Sequence, residues 1–213
     1  MTPEIAGRLK SWIGTRGGMH DEALFVVESQ TDQAVMLTVR NGDVERISVL
    51  FHRHHRMLFN FFLRLTGNRS LSEDLVQEVF LRMLKYRQTF QPGSNFTAWM
   101  YQVARNAHID HVRKWKLEVA PDEEPAWDDV AATAPDQHES LEHNQEIGLL
   151  RRALARLPVE KREVLVLSRF QNLKYEEIAQ IMNCEIGTIK VRVFRAIREL
   201  SEIFYELSGE RAS

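Results

Sequence analysis

Over residues 44–65 the apolar positions Ile47, Leu50, Phe51, Met57, Leu58, Phe61, Phe62 and Leu65 recur at the three-and-four spacing of one helix face, and Gly67 follows as a stop. The pattern predicts one or two helices. Ser70 stands three residues ahead of Glu73, the spacing at which two side chains cap each other's backbone N–H at a helix start. A second helix is therefore expected over residues 71–87. Leu75, Val76, Val79, Phe80, Met83 and Leu84 form its apolar stripe, with Asp74, Gln77, Glu78, Leu81 and Arg82 on the opposite side. Residues 91–95, QPGSN, are loop chemistry, because proline fixes its own φ and glycine accepts turn conformations that other residues avoid. Helical spacing resumes over 97–116 with Trp99, Met100, Val103, Ala107 and Val112.

Further along, LLRRALARL closes a helix over 147–157, and Pro158 suits the first turn of the next, over 159–170. A short helix at 175–182, a tight connection at 183–186 and a long helix from Gly187 to about Leu207 complete the pattern. No alternation of period two competes over a comparable length, so the fold class is all-α with two small domains. Residues 1–42 hold Gly7, Gly14, Gly17 and Gly18 and no sustained period; they are read as an N-terminal extension, disordered or a start-site artefact upstream of Met19 or Met36. The domains are then expected at 43–116 and 146–207, joined by a linker over 117–145.

Charge sharpens this division. The net charge is only −2, but residues 117–146 carry ten acidic and no basic side chains. Residues 99–116 carry four basic groups against Asp110, and residues 188–200 have Lys190, Arg192, Arg195 and Arg198 against Glu199. Two cationic stretches thus flank an anionic one, which Pro121, Pro125 and Pro135 interrupt. So acidic and apolar-poor a run cannot bury enough surface to offset chain entropy, and it reads as a flexible tether. No run of about 18 apolar residues and no secretory leader is present, which places the chain in the cytosol without membrane insertion. A lone Cys184 gives no disulfide and no recognisable metal-ligand spacing, so no cofactor is expected.

The segment LKYEEIAQIMNCEIGTIKVRVFRAIREL places a short helix, a brief turn and a longer basic helix in the order of a helix-turn-helix. Ala179 sits where the two helices approach. Ile189, Val193, Ala196, Ile197 and Leu200 make the inward face of the second helix, leaving Thr188, Lys190, Val191, Arg192 and Arg195 outward for phosphates and base edges.

Together with DLVQEVFLRM at 74–83 and FTAWMYQVARNAHIDHVRK at 96–114, this segment resembles bacterial RNA polymerase sigma factors of the extracytoplasmic-function group in the sigma-70 family. The resemblance spans roughly residues 43–204. It implies a domain 2 and a domain 4 without the intervening domain of larger sigma factors, and a non-enzymatic role in promoter-specific initiation. It implies that Asp74, Gln77, Glu78 and Leu81 dock on the β′ clamp of core RNA polymerase, and that domain 4 grips the β flap. The 96–114 helix and its loop would open and read the minus-10 element. There Asn106 has a donor and an acceptor for a base edge, Arg105, Arg113 and Lys114 can neutralise phosphates, and Ser94, Asn95 and Phe96 would wall a base pocket. The helix-turn-helix would read the minus-35 element through Thr188, Lys190, Val191, Arg192 and Arg195. An anti-sigma protein is the further partner implied.

Three positions depart from the family pattern. Lys174 removes a hydroxyl cap, Val191 removes a serine from the reading face, and Glu185 replaces proline or serine; these bear on promoter sequence rather than on fold. Trp99 and Tyr101 are aromatic candidates for base stacking, with Trp99 assigned to the core by its place in the apolar pattern. His52, His54 and His55 are read as surface residues, since adjacent side chains splay around a helix, and Cys184 as a small buried packing group. A duplex-binding regulator is the alternative, against which the 74–83 and 96–114 motifs argue. No glycine-rich phosphate loop, paired metal-binding carboxylates or nucleophile with its base supports an enzyme.

Overall fold

The computed structural model describes residues 30–118 and 141–209, and among these every regular element is helical. The first half consists of α1 (Asp32–Arg40), a 3-10 turn Val44–Arg46, α2 (Ile47–Thr66), α3 (Arg69–Lys85), a 3-10 turn Arg87–Thr89 and α4 (Phe96–Glu118). The second consists of α5 (Leu141–Arg156), α6 (Val159–Leu165), a π-helical turn Val166–Phe170, α7 (Tyr175–Met182) and α8 (Ile186–Ser208). The buried residues follow the expected stripes and join into one hydrophobic cluster that runs through both halves. Phe61, Phe62, Phe80 and Tyr101 are fully enclosed in the first half, and the Phe61 ring meets Phe62 and Tyr101 edge-on, each at 5.2 Å between centroids. Among the described residues no helix is long and apolar enough to cross a membrane.

The N-terminal boundary differs from expectation. Residues 32–40, assigned to an extension, form α1, capped by Thr31 Oγ1, which accepts from the Ala34 N–H at 3.2 Å. Val35, Met36 and Val39 are completely buried in that cluster. Asp32 also holds α2: Oδ1 accepts from Arg53 Nη1 at 2.7 Å, and Oδ2 lies 2.8 Å from His54 Nε2. A chain begun at Met36 would lack that anchor. The same contact corrects the histidine reading, because His54 is buried, with its ring against Phe96, whereas His52 is exposed. His55 is half-buried and stacks on Phe51. Residues 1–29 lie outside the described residues.

The turn between α2 and α3 also corrects a cap. Gly67 ends α2 at φ 65°, and its N–H returns to the Leu63 carbonyl. Asn68, extended, then caps α3 by accepting from the Leu71 N–H at 2.8 Å. Ser70 is exposed on the first turn, and Glu73 pairs with Arg69 instead. Asn68→Ala is accordingly expected to cost about 1 kcal/mol and Ser70→Ala only a few tenths, measured by urea unfolding. Equal costs for the two would restore Ser70 as the cap.

Helices also trim the expected linker at both ends, since α4 runs to Glu118 and α5 begins at Leu141; residues 119–140 lie outside the described residues. Pro158 is the N-cap of α6, one position ahead of the first turn where it was expected. At α7, Lys174 offers no side-chain cap, and the Glu177 carboxylate reaches back to accept from its N–H at 2.9 Å. Asn183 in the left-handed region (φ 49°) stops α7, with the Cys184 N–H donating to the Ala179 carbonyl at 3.0 Å. This turn aims α8 away from α7. Cys184 itself is half-buried.

Candidate nucleic-acid and polymerase interfaces

Helix α8 presents two faces. Ile189, Val193 and Ala196 are buried against the rest of the second half, while Thr188, Lys190, Val191, Arg192 and Arg195 are all exposed. Phe194 shares the exposed side and is 68% accessible, more than any other residue of this face among the large hydrophobics. The sequence reading did not single it out, although its position out of phase with Ile189, Val193 and Ala196 was the available signal. Val191, 47% exposed, lies one turn before it. The face thus combines exposed cations with two apolar groups, a mixture able to meet both phosphates and base methyls.

The candidates on α4 are strung along the helix rather than gathered at one point. Asn95 to Lys114 covers about 28 Å at the rise of an α-helix. Asn95 starts the helix: its Oδ1 accepts from the Ala98 N–H at 3.0 Å, while its Nδ2 donates to Glu177 Oε1 of α7 at 2.8 Å. Ser94 is half-buried. Phe96 is only 4% exposed, packed between His54 and Phe90, so it supports the loop from within. Asn106, Arg113 and Lys114 are exposed. Half-buried Arg105 donates through Nε to Glu163 Oε2 of α6 at 3.2 Å. Tyr101 is enclosed and donates to Gln171 Oε1 at 2.7 Å; burial pushes its phenol well above the usual range, which keeps it a donor. Trp99, half-buried, stands edge-on to Phe90 and donates to Thr89 Oγ1 at 3.2 Å.

On α3, Asp74 is exposed and Gln77, Glu78 and Leu81 are half-buried, opposite the core stripe. Glu78 accepts from Arg82 Nε at 2.6 Å, and Arg82 Nη1 reaches Asp110 of α4 at 2.6 Å. That bridge fixes the α3 face relative to α4. It also raises the Arg82 guanidinium pKa, the two carboxylates outweighing its partial burial.

Two buried titratable groups lie where the halves meet. Glu163 is 4% exposed; burial raises its carboxyl, and Arg105 and Arg192 pull in the other direction. His108 of α4 is 5% exposed and pushed down to about 4, chiefly by burial and then by His111, Arg162 and Arg105.

Comparison with known proteins agrees with this division. The Sigma-70 region 2 family matches residues 50–117, and the Sigma-70, region 4 family matches residues 147–200. The chain is 39% identical over 145 residues to the ECF RNA polymerase sigma factor EcfG of Rhodopseudomonas palustris strain TIE-1, covering 68% of this chain and 77% of that one. It is 30% identical over 174 residues to the RNA polymerase sigma factor CarQ of Myxococcus xanthus, covering 81% and 97%. Among solved structures, the sigma factor RpoE in complex with the anti-sigma factor NepR from Bartonella quintana is similar at a TM-score of 0.62 and 30% identity, over 73% of this chain and 94% of that one. With both regions matched in order and a relative 39% identical over most of its own length, the chain belongs to the extracytoplasmic-function group of sigma-70 RNA polymerase sigma factors.

Proposed function

We propose that this sigma factor docks on core RNA polymerase through Asp74, Gln77, Glu78 and Leu81 of α3, reads the minus-10 element along α4 and its entry loop, and reads the minus-35 element with α8. The observation that carries the reading is the exposed face of α8, where Lys190, Arg192 and Arg195 stand clear of the core on the second helix of a helix-turn-helix. Lys190 serves the phosphates and Arg195 a base edge, with Asn106, Arg113 and Lys114 in the corresponding roles on α4. The apolar groove between α5 and α8, lined by Ile147, Leu150, Leu200, Phe204 and Tyr205, is the surface we assign to the β flap. The protein supplies recognition and melting while bond making stays with the polymerase, and it acts in the cytoplasm. Because the RpoE structure holds an anti-sigma factor, we assign a partner of that kind to this chain too.

Run-off transcription by core polymerase with and without the protein, on fragments of its own genome, tests the reading. Defined transcripts that need the protein and share two spaced upstream elements are expected. Duplex binding without core binding or initiation would instead make it a regulator. On the promoter so found, Lys190→Ala should weaken binding evenly across sequences and lower the salt slope by about 1, the signature of one lost phosphate contact. Arg195→Ala should cost about 1–3 kcal/mol and relax preference at one base pair. A sequence-independent loss for Arg195→Ala would reassign it to phosphate.

A further inference from the structure

Asp110 is the one acidic side chain of residues 99–116, and it stands in the middle of the α4 stripe assigned above to DNA. Asn106 lies one turn before it and Arg113 and Lys114 one turn after, the spacing at which helix side chains are neighbours, and all four residues are exposed. Left bare, this carboxylate would repel the phosphate backbone that the cations beside it attract, and it would offset part of their charge.

It is not left bare. Arg82 reaches across from α3, its Nη1 donating to Asp110 Oδ2 at 2.6 Å while its Nε donates to Glu78 Oε1, also at 2.6 Å. The Arg82 side chain is 21% exposed and that of Asp110 52%, so the guanidinium is the more enclosed partner and the carboxylate the outer one. Two carboxylates, one from its own helix and one from the next, fix the plane of the fork. An ion pair with one partner this open to water adds little to folding, because solvent and salt screen it. Its consequence is local and electrostatic: a positive charge is delivered where α4 by itself carries a negative one.

We propose that Arg82 is a positioning residue for DNA reading that acts through Asp110, holding and neutralising that carboxylate so that Asn106, Arg113 and Lys114 face a phosphate backbone with no opposing charge among them. This rests on the assignment of α4 to the minus-10 element made above. The same fork ties Glu78, so the docking helix α3 supplies the charge that the reading helix α4 requires. Asp110 opposes DNA only when Arg82 is lost, and removing both side chains should therefore do less harm than removing Arg82 alone.

The test uses core polymerase preassembled with the wild-type chain, Arg82→Gln, Asp110→Asn or Arg82→Gln/Asp110→Asn, so that DNA binding is read apart from docking. The probe is a fluorescein-labelled fragment carrying the promoter mapped by run-off transcription, titrated over a range of salt concentrations. Arg82→Gln should weaken binding about tenfold and lower the salt slope by about 1, as one bare carboxylate in the stripe demands. The double variant should recover most of that loss together with the wild-type slope, the non-additivity expected of two groups that act on each other. A double variant as weak as Arg82→Gln overturns the proposal, because a bridge that merely holds two helices together is not restored by removing its second partner. An Arg82→Gln chain that binds as the wild type does overturns it too. Should Arg82→Gln lose its helical circular dichroism, Asp110→Asn carries the test: it should bind at least as tightly as the wild type, and weaker binding sinks the idea. Wild-type transcripts without recovery in the double variant remove this role alone, whereas no core binding and no transcripts remove the sigma reading and this role with it.

Discussion

Arg162→Met is expected to destabilise the chain by about 3 kcal/mol. Arg162 is only 6% exposed, and its guanidinium is spread over backbone carbonyls from both halves. Nη2 donates to Ala155 O at 2.6 Å and Leu157 O at 2.9 Å, where α5 ends with its last carbonyls unsatisfied by the helix. Nη1 donates to Leu65 O at 2.5 Å, near the end of α2. Methionine fills similar space but offers no donor. Three carbonyls lose a charged partner, and each such loss is worth about 1–3 kcal/mol, partly offset because the buried guanidinium no longer has to be desolvated. Its bond to Leu65 disappears in the same substitution, while Asn95–Glu177, Tyr101–Gln171, Arg105–Glu163 and the shared hydrophobic cluster still join the halves, so the chain should still unfold in one transition, at lower denaturant. Urea titration followed by tryptophan fluorescence and by circular dichroism would show the lowered midpoint; a midpoint equal to the wild type's would mean that Arg162 neither caps α5 nor joins the halves. Arg162→Lys should recover part of the loss, since an ammonium has donors but not a planar fork that spans both directions.

This arginine illustrates what the chain's linear pattern can and cannot convey. The stripe of Leu75, Val76, Val79, Phe80, Met83 and Leu84 was readable because burial on one helix face imposes a period on neighbouring residues, and all six are buried. The exposed face of α8 was readable for the same reason, and with it Thr188, Lys190, Val191, Arg192 and Arg195. Helix α1 was not, because its nine residues offer only Val35, Met36 and Val39 as a stripe, and its anchor is Asp32 bonding to Arg53 and His54 of the next helix. His54 was misplaced for a related cause: a run of histidines has no apolar signature, and only a carboxylate 22 positions away explains its burial. The bonds of Arg105 to Glu163 and of Arg162 to Leu65 join residues 58 and 97 positions apart, and no periodicity records such a pairing. Those contacts join α4 and α2 to the second half. Local pattern thus located the helices, and long-range geometry shows which side chains of α4 are tied to the second half.

The second large effect is a dependence of stability on pH carried by His108. Its imidazole is buried in α4, and burial, followed by the positive charge of His111, Arg162 and Arg105, holds its pKa at about 4 against 6.5 for a free histidine. Between these two values the unfolded chain binds the proton more readily than the folded one, so stability rises with pH across the window. The folded state is at full strength above pH 6.5 and weakens as pH falls toward 4, by about 3 kcal/mol over the whole range and about 2 kcal/mol by pH 5. Glu163 works in the opposite sense: its raised carboxyl favours the folded state below about pH 4.5, and that contribution is lost as pH rises through its folded value. Both chains in a comparison of wild type with His108→Leu contain Glu163, so its contribution cancels in the difference. Urea unfolding at pH 7.5 and pH 5.0 should therefore show the wild type losing about 2 kcal/mol relative to the leucine variant on acidification. Parallel losses in the two proteins would mean that His108 accepts its proton inside the fold, which the surrounding cations and the lack of water-exposed surface oppose. Of the cations acting on His108, Arg162 belongs to the second half while Arg105 stands on α4 itself, so the second half contributes only the Arg162 charge to this shift.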